Sequence, residues 1–321
     1  MSNGELFHYT TAEGLMGILQ KQNLRATHYR HLNDSTEMGF IVPHIVKKFY
    51  VELANFFHSD SERFGLIDDV LLNNYADHQA RVMFQIALDQ IDAMSPVFMC
   101  SLCCHTSKAV QKSGLLSQWR GYGASGGYCI VFDEAKMLKM LEELQDRKKF
   151  SSLQHKLVQY SGADDEIDLG KLDGLAVELY KSKYNGFCNG SEVDTVGFRL
   201  LPFKDVTGIN KLDQLLYMVL GDLPFYKNSA FIEEQEYRVA SAALMQSSPS
   251  PEGTPPPYLF GIKNNELVPF IYLFSDDVKL PITRIIVGPG GSGMRRVHGA
   301  GQLARSLGLG YEIVQSEIPF D

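Results

Sequence analysis

The chain has 321 residues, 45% of them hydrophobic, enough to bury one large core or two small ones. Its formal net charge of -8 removes any global electrostatic basis for holding nucleic acid and leaves only a local basic groove. No apolar run approaches the roughly 20 residues of a membrane span, and no basic region precedes an apolar stretch at the start, so the sequence predicts a soluble, cytoplasmic protein without a signal peptide.

In chain order, Glu5 to Tyr9 reads as a short strand, and Thr10 with Glu13 as a capping box opening a helix with the apolar stripe Leu15, Ile18 and Leu19. Leu24 to Thr27 predicts a second strand. Asn33-Asp34 predicts a turn, with Asp34 capping a long helix from Ser35 to about His58 that kinks at Pro43. Asn74 to Ala93 predicts another helix and Pro96 to Cys104 a buried strand. Cys100-Ser101-Leu102-Cys103 has CxxC spacing but no second ligand pair. With Cys104, Cys129 and Cys188 making an odd total, it reads as apolar strand content in a reducing compartment.

Ser117 to Gly123 predicts a Gly-rich loop around the single tryptophan, Trp119. Tyr128 to Phe132 predicts a strand, followed by a helix from Glu134 to about Arg147. Leu172 to Tyr184 and Lys211 to Leu220 predict helices. Tyr258 to Ile262, Phe270 to Phe274, Arg284 to Val287 and Tyr311 to Val314 predict strands, with a helix near Val297 to Leu307 between the last two. Residues 246–257, rich in Pro and Ser, predict a loop or linker. Helices and strands mix without a regular βαβ alternation. This predicts a single α+β domain over 1–321, with a mixed or antiparallel sheet core and flanking helices.

The most informative run is Glu234-Gln235-Glu236-Tyr237-Arg238. As an extended strand it would aim Glu234, Glu236 and Arg238 at one face, where two carboxylates repel unless a cation or a ligand hydroxyl stands between them. Either Arg238 neutralises Glu236 on an exposed strand face, or the acids hold a ligand such as a sugar. His8 reads either as a half-buried histidine bonding a backbone carbonyl or as a ligand contact. Ser101 reads as a satisfied strand hydroxyl or a ligand contact, and Trp119 as core or as a ligand wall. Asn33, Asp34 and Glu37 are explained by turn and cap chemistry. Gly288 to Gly293 before a helix can hold an anion, yet as a loop it needs no ligand.

The ordered set Phe7-His8-Tyr9-Thr10, Asn33-Asp34-Ser35-Thr36-Glu37, Cys100-Ser101-Leu102, Trp119-Arg120-Gly121-Tyr122, Gly127 to Phe132, Glu234-x-Glu236-x-Arg238, Ile285 to Pro289 and Ser316 to Phe320 resembles the domain of unknown function 2971 family across almost the whole chain. Two places depart from its pattern. Ser35 stands where the family has proline, and Cys100-Ser101-Leu102 matches Ser-Phe-Ser only in part. More loosely, a first strand with His then Thr, a middle strand with a hydroxyl residue and a late Glu-x-Glu strand are similar to the ADP-ribosyltransferase superfamily.

That second resemblance implies an NAD site made by His8, Tyr9, Thr10, Ser101, Trp119, Tyr122 and Arg238, with Glu236 and Glu234 as the catalytic acids. Trp119 or Tyr122 would stack on nicotinamide, and the glycines around them would let backbone approach the ligand. The carboxylate would stabilise oxocarbenium-like charge as the nicotinamide–ribose bond breaks. It further implies transfer of ADP-ribose to a macromolecular acceptor, or NAD hydrolysis, in a bacterial toxin or phage-defence setting. Two alternatives remain: a ligand sensor without turnover on the same fold, and a metal-dependent nucleic-acid enzyme built on Asp34, Glu37, Glu234 and Glu236. No GxxxxGK[ST] loop is present, and the second resemblance implies an NAD site that is not of Rossmann type.

Overall fold

A computed structural model describes residues 4–32, 36–59, 68–94, 96–122, 126–146, 150–162, 165, 167–188, 223–243, 258–263, 265–274, 278–290 and 292–319. The expected Asn33-Asp34 turn, the helix at 211–220 and the Pro/Ser-rich loop at 246–257 lie outside them. By its contacts the chain divides into two compact units, one of residues 1–33, 97–160 and 227–321, the other of 34–96 and 161–226. Among the described residues no helix is long and apolar enough to cross a membrane.

The first unit is built on one ten-stranded sheet. Its strands are β1 (Glu5–Thr10), β2 (Arg25–His28), β3 (Val97–Cys103), β4 (Tyr128–Asp133), β5 (Phe150–Leu157), β8 (Glu236–Ala243), β9 (Leu259–Lys263), β10 (Glu266–Tyr272), β11 (Ile282–Val287) and β12 (Glu312–Gln315). Two short strands, β6 (Gln159–Ser161) and β7 (Tyr226–Asn228), lie outside it. The order runs β12-β11-β4-β1-β3-β2-β10-β9, and β8 pairs both β3 and β5. Every ladder is antiparallel except β11 with β12, which are joined through a helix, α8 (Gly293–Ser306). The expected α+β class with a mixed, mostly antiparallel sheet is what the chain adopts.

Strand alternation sorts the two faces of this sheet. One carries Leu6, Phe98, Leu102, Ile130, Phe132, Tyr237 and Val239. It is covered by Leu15, Ile18 and Leu19 of α1 (Ala12–Lys21) and by Met137, Leu141 and Leu144 of α6 (Glu134–Asp146). The other carries Phe7, Tyr9, Cys103, Cys129, Val131 and Ile286 packed with Trp119.

Several expectations are corrected. The cap of α1 is Thr11, whose hydroxyl accepts from Gly14 N, while Thr10 closes β1. The expected Gly-rich loop is mostly helix: after α4 (Lys108–Ser113), residues Leu116–Tyr122 form α5, with Gly121 at an exposed position. Strand β8 starts at Glu236, since Glu234 ends a 3-10 turn (Ser229–Glu234) and Gln235 turns the chain at φ 46. Strand β5 was not expected, and α8 starts four residues before the expected Val297.

The second unit contains α2 (Thr36–Ser59), α3 (Asp69–Met94) and α7 (Leu175–Cys188). Phe57 of α2 meets Tyr75 of α3 at 5.1 Å and Tyr180 of α7 at 4.9 Å between ring centroids. The two tyrosine hydroxyls lie 3.0 Å apart. Asp68 caps α3 by accepting from Val70 N and Leu71 N at 2.8 and 3.0 Å. Glu52 accepts from Gly174 N and Ala176 N, at 3.1 and 3.3 Å, where α7 begins.

Two glycines make room for Trp119. At Gly114, φ is 79 and an added Cβ would lie 2.5 Å from the indole; at Gly288 it would lie 2.9 Å from the indole and 2.9 Å from the Gly127 carbonyl. Gly114→Ala is therefore expected to lower unfolding free energy by about 1–3 kcal/mol. Gly121→Ala, where an added Cβ meets nothing, is expected to be neutral or stabilising by about 0.5–1 kcal/mol. Urea unfolding of both variants checks this. Equal midpoints would mean that the indole is not clamped.

Candidate functional site

Three strands far apart in sequence stand side by side in the order β8-β3-β1. β3 pairs β8 along its whole length, with Ser101 opposite Arg238 and Cys103 opposite Glu236. Its other edge is shared. β1 meets it at Phe7↔Cys103, and β2 at Thr27↔Met99 and His28↔Phe98. Between those points no described strand pairs with Cys100, Ser101 or Leu102 on that side, so β1 and β2 leave a fork along β3. The His8 imidazole fills part of it, with Nδ1 3.1 Å from the Ser101 carbonyl oxygen. His8, Thr10 and Ser101 are each only partly buried there.

On the face beside Cys103 lies an interlocked set of charges. Arg238 donates through Nε to Glu236 Oε1 at 2.7 Å and through a terminal nitrogen to Oε2 at 2.8 Å. This is a fork-on-carboxylate pair. Lys227 Nζ from β7 donates to Glu236 Oε2 at 3.1 Å and to Glu234 Oε2 at 2.8 Å. The expected exposed strand face is instead an interior: Glu236 is 2% exposed, Arg238 1% and Lys227 3%. Among the described residues two cations meet two carboxylates here, as burial of charge requires.

Burial pushes the Glu236 carboxyl up. The Arg238 charge and its hydrogen bonds, the Lys227 charge and a hydrogen bond with Ser101 more than offset that and hold it down at about 2. It is ionised at any working pH. Backbone bonds fix its place: Glu236 N donates to the Tyr160 hydroxyl at 2.9 Å, and Glu236 O accepts from Val158 N at 2.9 Å.

The residues expected to hold NAD fall into separate groups. Ser101, Glu236 and Arg238 are together, and Glu234 reaches them through Lys227 rather than along the strand. His8 alternates with Leu6, so its side chain belongs to the face opposite Cys103 and Glu236. The fork joins the two places only through the edge of β3. Tyr9 is core: its hydroxyl is hydrogen-bonded with His105 Nε2 at 2.8 Å, accepts from Leu115 N at 2.8 Å, and its ring meets Trp119 edge-on at 4.9 Å.

Trp119 is 2% exposed, and its indole N–H donates to the Ser113 carbonyl at 3.0 Å. Its ring is therefore not a ligand wall, because clamping by Gly114 and Gly288 consumes both the space and the polar group a ligand would use. Tyr122 is half-buried against the same cluster. Gly126 makes room for the Arg296 guanidinium, which its added Cβ would strike at 1.8 Å. The Cys100 thiol, pushed up to about 12 by burial and by the nearby Glu236 charge, stays protonated and inert.

Sequence reasoning missed Lys227 and His105. Lys227 follows Phe225-Tyr226, and a lone lysine beside aromatics seven residues before a Glu-x-Glu is its one signal. For the metal alternative, Asp34 and the Glu37 side chain lie outside the described residues. Glu234 and Glu236 are held by cations, and no group of three or more His, Cys, Asp or Glu suited to a metal occurs among the described residues. The second unit holds a cavity of about 1020 Å³ beside His44, Lys47, Lys48, Asp165 and Asp168, and none of the expected site residues lines it.

Residues 118–239 match the model of a family described as Protein of unknown function (DUF2971). The match takes in Trp119, Tyr122, Glu234, Glu236 and Arg238 and leaves out His8, Tyr9, Thr10 and Ser101. No curated protein and no solved structure matches the chain.

Arg238→Met removes one partner of a buried pair and is expected to cost about 3–5 kcal/mol of stability, well above the ~1 kcal/mol ceiling of an exposed pair. Chemical denaturation measures it, and a loss under ~1 kcal/mol would contradict the enclosed network.

The acid response follows from two groups. Burial lowers the His105 imidazole from 6.5 to about 4, so folding favours its neutral form and stability falls as pH drops from 6.5 towards 4. Glu236, held below its ordinary 4.5, adds stability that is complete above 4.5 and lost as pH falls through about 2. His105→Gln should flatten the upper part of the melting-temperature profile, between pH 6.5 and 4, and leave the lower part. An unchanged upper slope would show that His105 is not the group responsible.

Proposed function

We propose, for a chain whose residues 118–239 belong to the DUF2971 family, an ADP-ribosyltransferase-like activity that takes NAD as substrate and passes ADP-ribose to a macromolecular acceptor or to water. One observation carries this reading. The strands bearing His8, Ser101 and Glu236 are consecutive in one sheet, and the middle strand has a bare edge at Cys100–Leu102 with the His8 imidazole in the gap. A split sheet with backbone polar groups left off the ladder is a place for a ligand to complete.

In this reading the nucleotide enters at the fork. It contacts His8 and the Ser101 backbone, and a ribose hydroxyl reaches the face of Ser101 and Glu236. As the ribose–nicotinamide bond breaks, its electron pair leaves with nicotinamide and positive charge grows on the sugar. Glu236, kept ionised by Arg238, stands as the counter-charge, already oriented and shielded from water. The acceptor then bonds to the sugar carbon and gives up its proton. Glu234 acts through Lys227, without touching the substrate. Tyr9 and Trp119 support the site from the core, leaving Tyr122 as the remaining candidate for a stacking contact.

A second reading, ligand binding without turnover, is favoured by one fact: both oxygens of Glu236 are already occupied by Arg238 and Lys227.

Nicotinamide release from NAD separates the two. The transferase reading expects release by the wild-type chain and a loss of about 10² to 10³ in rate in Glu236→Gln, the cost of one electrostatic partner. A melting curve beside each assay confirms that the variant is folded. His8→Ala should weaken NAD affinity in calorimetry while keeping the melting temperature. NAD binding by the wild type with no nicotinamide released in the presence of cell extract favours the sensor. No NAD binding at all contradicts both.

A further inference from the structure

We infer that Lys227 is a positioning residue for the proposed NAD site, and that Glu234 is the seat to which its ammonium withdraws when a ligand hydroxyl takes its place on Glu236. This rests on the NAD reading of Glu236 and assigns a role to the other acid of the Glu-x-Glu run.

The contacts on Glu236 are unequal. Oε1 is held by Arg238 at 2.7 Å. Oε2 takes Arg238 at 2.8 Å and Lys227 at 3.1 Å, so the lysine makes the longest of the three. The lysine's contact with Glu234 is shorter, 2.8 Å. A neutral hydroxyl that donates to Oε2 replaces the longest of these three bonds to a cation. The ammonium keeps a full charge-assisted bond on Glu234. Charge neither enters nor leaves the cluster, so the exchange avoids the penalty of stranding a buried ion.

The backbone allows movement on one side of this exchange and forbids it on the other. Between Lys227 and Gln235 runs the 3-10 turn Ser229–Glu234, none of whose residues is buried. Such a segment shifts without unpacking core. The Lys227 ammonium lies 5.0 Å from the centre of the Phe231 ring of that turn, whose side is exposed. Beyond it, Gln235 is fixed. Its carbonyl accepts from Cys104 N at 2.7 Å, its side-chain carbonyl accepts from Thr106 N at 3.2 Å, and its amide donates to the Thr106 hydroxyl at 3.3 Å. Glu236 therefore keeps its register with Cys103 while the turn that carries Glu234 adjusts.

The test uses the full chain with NAD in calorimetry, nicotinamide release at saturating NAD, and a melting curve for each protein. Glu234→Gln removes the negative charge of the alternative seat and so weakens it against Glu236. NAD affinity should fall about tenfold, the worth of one charge-assisted bond. The double variant Lys227→Met with Glu234→Gln removes competitor and seat together and leaves Glu236 balanced by Arg238. Its NAD affinity should return to the wild-type value or exceed it. A role confined to holding the fold moves melting temperatures and leaves the affinities of folded proteins alike. Equal affinity in wild type and Glu234→Gln, or a double variant that binds no tighter than the single, overturns the positioning role and leaves the NAD reading standing. A wild-type chain that binds no NAD overturns both.

Discussion

A carboxylate without water must be answered by fixed charge, and Glu236 sets that demand for the first unit. β8 lies between β3 and β5, and Glu236 at its start is 2% exposed. One acid there requires a cation, and Arg238, two residues along and on the same face, supplies it with two parallel bonds. The pair then makes room for a second pair. Lys227 bridges to Glu234, and the chain turns sharply at Gln235, φ 46, to bring Glu234 back toward the lysine. The left-handed residue, the start of β8 at Glu236 rather than Glu234 and the 3-10 turn before it follow from closing this charge balance inside a sheet.

The same sheet keeps its stiffness away from its fork. On one side of β1, Tyr9, His105 and Trp119 form a packed block tied by three polar contacts: hydroxyl with imidazole, backbone N–H to hydroxyl, indole N–H to carbonyl. Gly114 and Gly288 exist in their positions because the indole occupies the volume a side chain would need. On the other side, β1 and β2 diverge along β3, and one histidine stands in for a missing ladder. A ligand-binding reading draws on that contrast, since a rigid block next to an incomplete edge holds a ligand's surroundings still.

What the sequence made legible follows physical lines. Val97–Cys103, Tyr128–Asp133 and Ile282–Val287 are dense in apolar or β-branched residues and could be read as buried strands directly. Phe150–Leu157 could not, because Ser151, Ser152, Gln154 and His155 hide its pattern and its pairing with β8 comes from a partner 86 residues away. Trp119 sits among glycines that suggest a loop, yet Leu115, Trp119 and Tyr122 are spaced for one helical face, and that spacing was the better guide.

Glu234 was placed on the strand because alternation assumes an unbroken extended chain; one left-handed residue cancels the assumption. The identity of the charge partners was half visible. Arg238 is local and was named, whereas Lys227 arrives from a separate short strand. Which face His8 shares was beyond the sequence, since it depends on the register of β1 against β3.

The central claim is that Glu236, ionised and locked to Arg238, is the group a nucleotide sugar engages, with Lys227 as the contact that gives way. A crystal structure of the chain with NAD tests it most directly. The account predicts a ribose hydroxyl within about 2.6–3.2 Å of Glu236 Oε2, Arg238 still donating to both oxygens, and Lys227 on Glu234 alone. NAD bound elsewhere, with Lys227 still bridging both glutamates, would contradict it.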